Sequence, residues 1–203
     1  GMDTCRISRL VVYQLLEGLS MSTPIFNGVH IFDEPIEVVV SHFRAGVGTG
    51  FSYVVTPNVD HFYRLDGQHN VEFNHAYRHA DLAICDSRIV QKLSFFERTR
   101  IRNVVPGSDL TKHLLQATWL RERKVLIVGP TAEESERIAR EFQLPDVVSY
   151  SPPMGFIRSE SETSSCVDFI VATAADVVFI AVGSPQQEIL ASRVKAAWSS
   201  HKR

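Results

Sequence analysis

One carboxylate in the sequence is a candidate general base. The segment Asp81–Asp86 runs through Leu, Ala, Ile and Cys, typical of a buried strand, and ends on an acid. Such a strand would carry the Asp86 side chain to the carboxyl edge of a sheet, where it could take a proton from an attacking hydroxyl. The alternative is that Asp86 caps a helix beginning near Ser87, and the residues alone leave both roles open.

A second polar turn, Thr56-Pro57-Asn58, separates a predicted strand from a predicted helix. Val54 and Val55 are typical of a buried strand, and Pro57 keeps the residue before it extended. Asn58 is a good helix N-cap, and a helix N-terminus is a favourable place for an anionic ligand. An ordinary strand-to-helix loop with a polar cap is the alternative.

Three further turns each follow a predicted strand and open a predicted helix, so their N–H groups would point at a bound phosphate. They are Pro106-Gly107-Ser108-Asp109, Gly129-Pro130-Thr131 and Gly183-Ser184-Pro185. Three such turns at one sheet edge favour a nucleotide-sized ligand. Gln186, Gln187 and Glu188 follow the last turn and could bind a sugar or base. The alternative is a solvated first turn in which the helix dipole favours Glu188.

Two patterns carry weaker signals for other functions. His75 and His79 lie on one predicted helix face near Asp81, but a protein zinc site needs one or two more ligands, which favours a surface or capping pair. The glycines of Gly46–Gly50 resemble a dinucleotide loop. That motif should follow a strand and open a helix, whereas this one follows a helix and precedes a strand, so we expect a helix C-cap. A nucleotide-dependent oxidoreductase is therefore only a third hypothesis.

Strands alternate with helices from residue 28 onward, which predicts an α/β fold: a Rossmann-like, mostly parallel sheet with helices on both faces. Predicted strands lie at 29–32, around 54–55, and at 81–86, 101–105, 124–128, 147–150 and 177–182. We expect residues 23–203 to form a single domain. Residues 1–22 are expected to be an N-terminal extension, partly vector-derived, with a short amphipathic helix over 5–19.

The composition is that of an ordinary soluble globular chain. It has 203 residues, 44% of them hydrophobic and 22% charged, with a net charge of −2. The slightly acidic balance argues against nucleic-acid binding. Cys5, Cys85 and Cys166 are far apart, which argues against a disulfide framework and favours a reducing cytoplasm. The chain has no Asp-x-Asp pair of the kind that holds a diphosphate through magnesium.

Four blocks, in this order, resemble those of the WecG/TagA/CpsF glycosyltransferases: Thr56–His61, Ala80–Asp86, Pro106–Leu110 and Gly183–Glu188. The similarity covers roughly residues 28–194. It implies an inverting, metal-independent enzyme without a cofactor that builds bacterial surface polysaccharide or teichoic acid. Its donor would be a UDP-sugar carrying N-acetylmannosamine, glucose or a relative, and its acceptor a polyprenyl-diphosphate-linked glycan. It would work peripherally at the cytoplasmic face of the membrane. A homo-oligomer is left open.

The resemblance also implies residue roles. Asp86 matches the catalytic base, Thr56 and Asn58 match positions lining the reaction centre, and Gln187 matches a residue expected to touch donor or acceptor. Together with the glycine turns, the predicted substrate-binding set is Thr56, Asn58, Arg102, Gly107, Ser108, Asp109, Gly129, Gly183, Pro185, Gln187 and Glu188.

Three departures from the family pattern matter. Ser87 stands where the family usually has Gly after the base. Val104 stands where it usually has Arg, and Arg102, two residues away on the same predicted strand face, could substitute. The family continues with a basic C-terminal segment linked to membrane docking and site completion, whereas the sequence ends at Arg203. A shortened relative that only binds a nucleotide sugar is therefore the alternative function.

Overall fold

Strands and helices alternate along the chain in the computed structural model, which describes residues 10–12, 24–47, 50–66, 70–96 and 99–201. The strands are β1 Leu10–Val12, β2 Ile25–Phe26, β3 Val29–His30, β4 Tyr53–Val55, β5 Leu82–Ala83, β6 Val125–Val128, β7 Val147–Tyr150 and β8 Val177–Ile180. The helices are α1 Ile36–Gly46, α2 Val59–Asp66, α3 Val71–Arg78, α4 Arg88–Ser94, α5 Gly107–Gln116, α6 Ala132–Phe142, α7 Glu160–Thr173 and α8 Gln186–His201, with 3₁₀ turns at Thr118–Glu122 and Phe156–Arg158.

The central sheet has the strand order β5-β4-β1-β8-β6-β7. β4 pairs in parallel with β5, and β6 pairs in parallel with both β7 and β8. β1 lies in the middle and is antiparallel to both of its neighbours, β4 and β8. Since β4 and β8 both oppose β1, they run in the same direction. All strands of this sheet except β1 therefore end at one edge, which we call the carboxyl rim.

Helices cover both faces of the sheet, and each face has its own apolar core. Leu126 and Val128 of β6 pack in one core, whose other members include Phe73 of α3, Ile170 of α7 and Leu190 of α8. The intervening residues of β6 point the other way, into a second core that includes Val125, Ile127, Phe43, Leu110 and Leu114. A strand buried on both faces reads as a continuous apolar run, as β6 does. The predicted α/β class with a mostly parallel sheet is confirmed.

The structure corrects the prediction for the N-terminal extension. Leu10–Val12 form a strand at the centre of the sheet, where a helix over 5–19 was predicted. Pairing with β4 on one side and β8 on the other outweighs the helical spacing of the apolar residues, because strand partners that are distant in sequence leave no trace in local periodicity. Residues 1–9 and 13–23 lie outside the described part of the chain.

The predicted strand at 101–105 is also wrong. The segment is extended but joins no sheet, although Val105 N–H donates to the Cys85 carbonyl at 2.8 Å. The backbone N–H groups of Arg102 and Asn103 donate instead to the carboxylate of Asp33, at 2.9 Å and 2.7 Å. Because a side chain takes these donors, no partner strand is needed to satisfy them.

The glycine-rich segment 46–50 has the order expected of a helix C-cap. α1 ends at Gly46, and β4 begins at Tyr53. Residues 48–49 lie outside the described part of the chain. The segment therefore follows a helix and precedes a strand, the reverse of a dinucleotide-binding turn.

Gly129 allows β6 and β8 to lie close together at the carboxyl rim. Its φ of +124° is rare for an L side chain, and a Cβ there would lie 2.5 Å from the carbonyl oxygen of Ala181. Both backbones are held by strand pairing, so neither can move away cheaply. Glycine is therefore required here by close packing as well as by conformation.

Gly129→Ala should lower the free energy of unfolding by about 2–5 kcal/mol, because strain at positive φ adds to the cost of overpacking. Gly155→Ala is the matched control: its φ is +78°, but a Cβ there would have no neighbour within 4 Å. The control should lose only about 1–2 kcal/mol. Guanidinium unfolding followed by circular dichroism measures both losses, and equal losses would contradict the packing explanation.

Candidate active site

Asp86 lies at the carboxyl rim, just beyond β5, and is half-buried. Its backbone N–H donates to the Pro57 carbonyl at 3.1 Å, which joins the β5 end to the turn after β4. Its Oδ1 accepts a hydrogen bond from the N–H of Gly107, the first residue of α5, at 3.2 Å. The helix N-terminus thereby orients the carboxylate.

Ser87, and not Asp86, caps α4. The Ser87 hydroxyl accepts hydrogen bonds from the N–H groups of Ile89 and Val90, at 3.2 Å and 3.4 Å. The alternative role of Asp86 as the cap of α4 is therefore wrong. The resemblance leads us to expect glycine at this position. The same contacts show that the Ser87 side chain folds back onto its own helix.

The turn after β4 caps α2 as predicted. The Asn58 Oδ1 accepts a hydrogen bond from the His61 N–H at 3.1 Å. Thr56 is only 3% exposed, so its side chain is an internal feature of the turn, whereas Asn58 is half-buried. Together with the Pro57–Asp86 bond, this arrangement places the Thr56–Asn58 turn directly beside the candidate base.

The first turn of α8 is buried. Gln187 and Glu188 are both fully buried, so the predicted alternative of a solvated first turn is wrong. The Gln187 Nε2 donates to Glu188 Oε1 at 3.0 Å. The buried Gln187 Oε1 has no hydrogen-bond partner among the residues that the structure describes.

Sequence reasoning missed a buried polar cluster behind the rim, which consists of His61, Tyr77, Gln187 and Glu188. The Tyr77 hydroxyl hydrogen-bonds His61 Nδ1, and His61 Nε2 lies 4.0 Å from Glu188 Oε1. Burial raises the pKa of Tyr77, and the charges of Glu188 and Asp86 raise it further. The Tyr77 side chain thus lies within electrostatic reach of both the Glu188 and the Asp86 carboxylates. His61 is part of the first block of the resemblance, but Tyr77 has no signal beyond that of a core aromatic.

Burial is the main cause of a raised pKa at Glu188, which favours its neutral form. The hydrogen bond from Gln187 opposes this shift, as does the more distant charge of Arg64. A neutral carboxyl group can still accept the Gln187 hydrogen bond through its carbonyl oxygen. Burial therefore favours a protonated Glu188 behind the rim.

Two of the three predicted phosphate turns already hold carboxylates. At α5, Asp86 takes the Gly107 N–H, and the exposed Asp109 lies in the first turn. At α6, Glu134 Oε2 accepts the Thr131 N–H at 2.9 Å. Fixed negative charge at these turns disfavours a phosphate.

The third predicted phosphate turn, at Gly183–Pro185, opens α8 and carries no exposed carboxylate. Gly183 is exposed, with a φ of +85°, and the peptide bond between Ser184 and Pro185 is cis. Glu188, the acid in the first turn of α8, is buried. Among the three predicted turns, this one is the most open to an anion.

Arg102 and Ser108 are exposed. The Arg102 backbone is held on both sides: its N–H donates to Asp33, and its carbonyl accepts from Gln91 Nε2 at 2.7 Å. Since 101–105 is not a strand, strand alternation gives no reason for Arg102 to share a face with Val104. Its role as a substitute for the family's arginine stays a prediction.

A cavity of about 300 Å³ lies between the β2–β3 hairpin, α3 and β5. Its lining includes Asn27, His30, Asn74, Tyr77 and Asp81, but none of the predicted site residues. Tyr77 is therefore shared between this cavity and the buried polar cluster.

His75 of α3 and His79, which follows its last residue, are engaged with each other and with α8. Their rings stack with centroids 3.9 Å apart, and His75 Nδ1 lies 3.3 Å from the Ser192 hydroxyl. Within the described ranges, no three His, Cys, Asp or Glu side chains are grouped so that they could hold a metal ion. The histidine pair therefore contributes to the contact between α3 and α8.

Comparison with known sequences decides the family. The glycosyl transferase WecG/TagA/CpsF family matches residues 24–201. The chain belongs to this family. The match includes every block that carried the resemblance, and it leaves out the three residues of β1.

Two similar proteins carry the name N-acetylglucosaminyldiphosphoundecaprenol N-acetyl-beta-D-mannosaminyltransferase. The protein from Bacillus spizizenii is 25% identical over 174 residues, which cover 83% of this chain and 65% of that protein. The protein from Staphylococcus aureus is 26% identical over 152 residues, which cover 73% and 58%. The matched part of the chain thus spans somewhat less than two thirds of these relatives.

The raised pKa of Glu188 can be tested through stability in this family member. When folding raises the pKa of a carboxyl group, there is a pH range in which the group ionises in the unfolded state but stays protonated in the folded state. Ionisation of the unfolded state alone lowers the free energy of unfolding across that range. The free energy of unfolding, relative to that of Glu188→Gln, should therefore fall as the pH rises above about 4.3, the usual pKa in unfolded chains. The fall should reach about 1.4 kcal/mol per pH unit and stop above the folded-state pKa.

Urea titrations at a series of pH values measure this difference, with the exposed Glu141→Gln as a control that should show no such trend. A difference that stays constant or rises over this pH range would contradict the raised pKa of Glu188.

Proposed function

We propose that this chain is an inverting glycosyltransferase that moves N-acetylmannosamine from a UDP-sugar to the N-acetylglucosamine of a polyprenyl-diphosphate-linked acceptor. The observation that carries the proposal is the position of Asp86: a half-buried carboxylate at the carboxyl rim, oriented by the Gly107 N–H and joined to the Thr56–Asn58 turn. Ligands of α/β sheets bind at this edge. The names of the relatives supply the sugar and the acceptor.

In the proposed reaction, Asp86 takes the proton of an acceptor hydroxyl as its oxygen attacks the anomeric carbon. The new carbon–oxygen bond forms as the bond to UDP breaks, and the electron pair leaves on the β-phosphate oxygen. A single in-line displacement inverts the configuration at the anomeric carbon. The Gly107 N–H holds the carboxylate in place, which favours a productive geometry before the reaction begins.

The Gly183–Pro185 turn is the best candidate for the leaving diphosphate. The N-terminus of α8 can stabilise the negative charge that develops as UDP departs. The turns at Gly107 and Gly129 are less suited, because Asp86, Asp109 and Glu134 already place negative charge there. Since the chain lacks Asp-x-Asp, we propose that the reaction needs no metal.

Thr56 and Asn58 lie in the turn beside the base, and Gln187 lies in the first turn of α8, which follows the diphosphate turn. Gln187 is the most informative, because its buried Oε1 has no partner among the described residues. An unsatisfied buried amide oxygen is costly, and a small rearrangement of α8 when the donor binds could supply it with a hydroxyl donor. We therefore place the donor sugar between Asp86 and the first turn of α8.

Asp86→Asn should lower the rate of sugar transfer from UDP-N-acetylmannosamine by about 10²–10⁴-fold, because the amide cannot accept the proton. UDP affinity should stay within about threefold of that of the unmodified protein. Transfer is measured by chromatography of the glycosylated acceptor, and UDP affinity by calorimetry.

Asp60→Asn is the matched control for this experiment. Asp60 is exposed in the first turn of α2, near the same rim, and pairs with Arg64 at 2.8 Å. Its variant should keep full transfer activity. Unchanged transfer in Asp86→Asn would end the assignment of the base, and UDP binding without any transfer by the unmodified protein would favour the alternative of a nucleotide-sugar-binding module.

A further inference from the structure

Helix α4 presents apolar side chains to solvent. Ile89 is 60% exposed, Leu93 45% and Phe96, just past the helix end, 86%. Their spacing of four and three residues places them on one helix face. We call these three residues the apolar stripe. Single exposed apolar residues are normal, but an aligned set on one short helix is typical of an interaction surface.

The opposite side of α4 is fixed to the rest of the protein, so the stripe cannot turn inward. Val90 and Ser94 are buried. The Ser94 hydroxyl donates to the Gln91 carbonyl at 2.6 Å and accepts the Ile101 N–H at 3.1 Å. The Gln91 side chain donates to the Arg102 carbonyl at 2.7 Å. These contacts hold the helix in one orientation.

Positive charge lies beside the stripe. Arg88 and Lys92 are exposed on the same helix, and the Arg100 guanidinium lies 5.1 Å from the centre of the Phe95 ring. Between Asp86 and Glu97 the sequence contains no acidic residue. A short amphipathic segment with basic and aromatic residues is suited to the headgroup region of an anionic bilayer.

We infer that the apolar stripe and its basic neighbours dock this protein on an anionic lipid bilayer. A two-fold contact with a second copy is disfavoured, because an isologous interface centred on α4 would bring the same positive charges together. Position supports the bilayer, since α4 begins two residues after Asp86. Docking there would hold the rim at the membrane surface, where a polyprenyl-linked acceptor presents its sugar; this part rests on the proposed function.

No helix in the described part of the chain is both long enough and apolar enough to cross a bilayer. The stripe itself spans only about 10 Å along the helix axis. Attachment through α4 is therefore expected to be shallow and reversible, and to weaken as salt screens its electrostatic part.

Binding to lipid vesicles tests the inference without any assay of sugar transfer. The unmodified protein should sediment with vesicles of phosphatidylcholine and phosphatidylglycerol. The double variant Leu93→Gln, Phe96→Gln should bind them at least about tenfold more weakly, because it removes the apolar surface that these two residues present to the membrane. Lys92→Gln should bind about fivefold more weakly to anionic vesicles and as before to pure phosphatidylcholine.

Val71→Gln is the matched control. Val71 is 75% exposed at the start of α3, outside the stripe, so its variant should bind like the unmodified protein. Thermal unfolding checks that every variant remains folded. Absence of vesicle binding by the unmodified protein, or binding by the double variant within twofold of it, would overturn the inference. The inference would also be overturned if the unmodified protein is a dimer and the double variant is a monomer, because the stripe would then be an interface between copies.

A second arm separates this inference from the proposed function. The double variant should raise the apparent KM for an acceptor embedded in vesicles, with kcat and KM for a water-soluble short-chain acceptor unchanged. Vesicle binding that depends on the stripe, with no transfer to either acceptor by the unmodified protein, would support docking and refute the glycosyltransferase proposal. Transfer to the soluble acceptor without stripe-dependent vesicle binding would support the glycosyltransferase proposal and refute docking through the stripe.

Discussion

The common direction of β4, β5, β6, β7 and β8 is the constraint on which the site depends. The shared antiparallel partner β1 fixes β4 and β8 in one direction, and parallel pairing passes that direction to the rest. As a result, segments far apart in sequence turn over at the same edge of the sheet. Asp86, the Thr56–Asn58 turn and the first turn of α8 lie along one edge because of strand direction.

Hydrogen bonds then convert this neighbourhood into a defined geometry. The Asp86 carboxylate accepts from the first N–H of α5, and bonds to charged groups contribute about 1.5–3 kcal/mol. On the other side, the buried polar cluster fills the space between α2, α3 and α8. Within the cluster, Tyr77 hydrogen-bonds His61 and Gln187 donates to Glu188, whereas Gln187 Oε1 has no partner among the described residues. The Asp86 carboxylate is thus constrained by a helix terminus on one side and lies beside a packed interior on the other.

Much of this arrangement could be predicted from the sequence. Alternating strand and helix patterns predicted the fold class, and polar residues directly after apolar strands predicted which turns meet at the rim. Asn58 as the cap of α2 followed from local chemistry alone. These features are encoded within a few neighbouring residues, where capping and turn preferences act.

The features that could not be predicted depend on partners far along the chain. β1 is only three residues long, and its place between β4 and β8 is a property of those strands. Gln187 and Glu188 are typical of a solvated first turn until α2 and α3 are packed over them. Residues 101–105 have the composition of a strand, but Asp33 takes two of their N–H groups. In each case tertiary contacts decide between local alternatives.

A crystal structure of the Asp86→Asn protein with UDP-N-acetylmannosamine bound would test the central claim most directly, since the claim concerns where the reacting atoms lie. The proposed function predicts the diphosphate at the Gly183–Pro185 turn, with the anomeric carbon facing residue 86 and open to an acceptor from that side. A donor bound in the cavity beside the β2–β3 hairpin, or with its anomeric carbon turned away from residue 86, would contradict it.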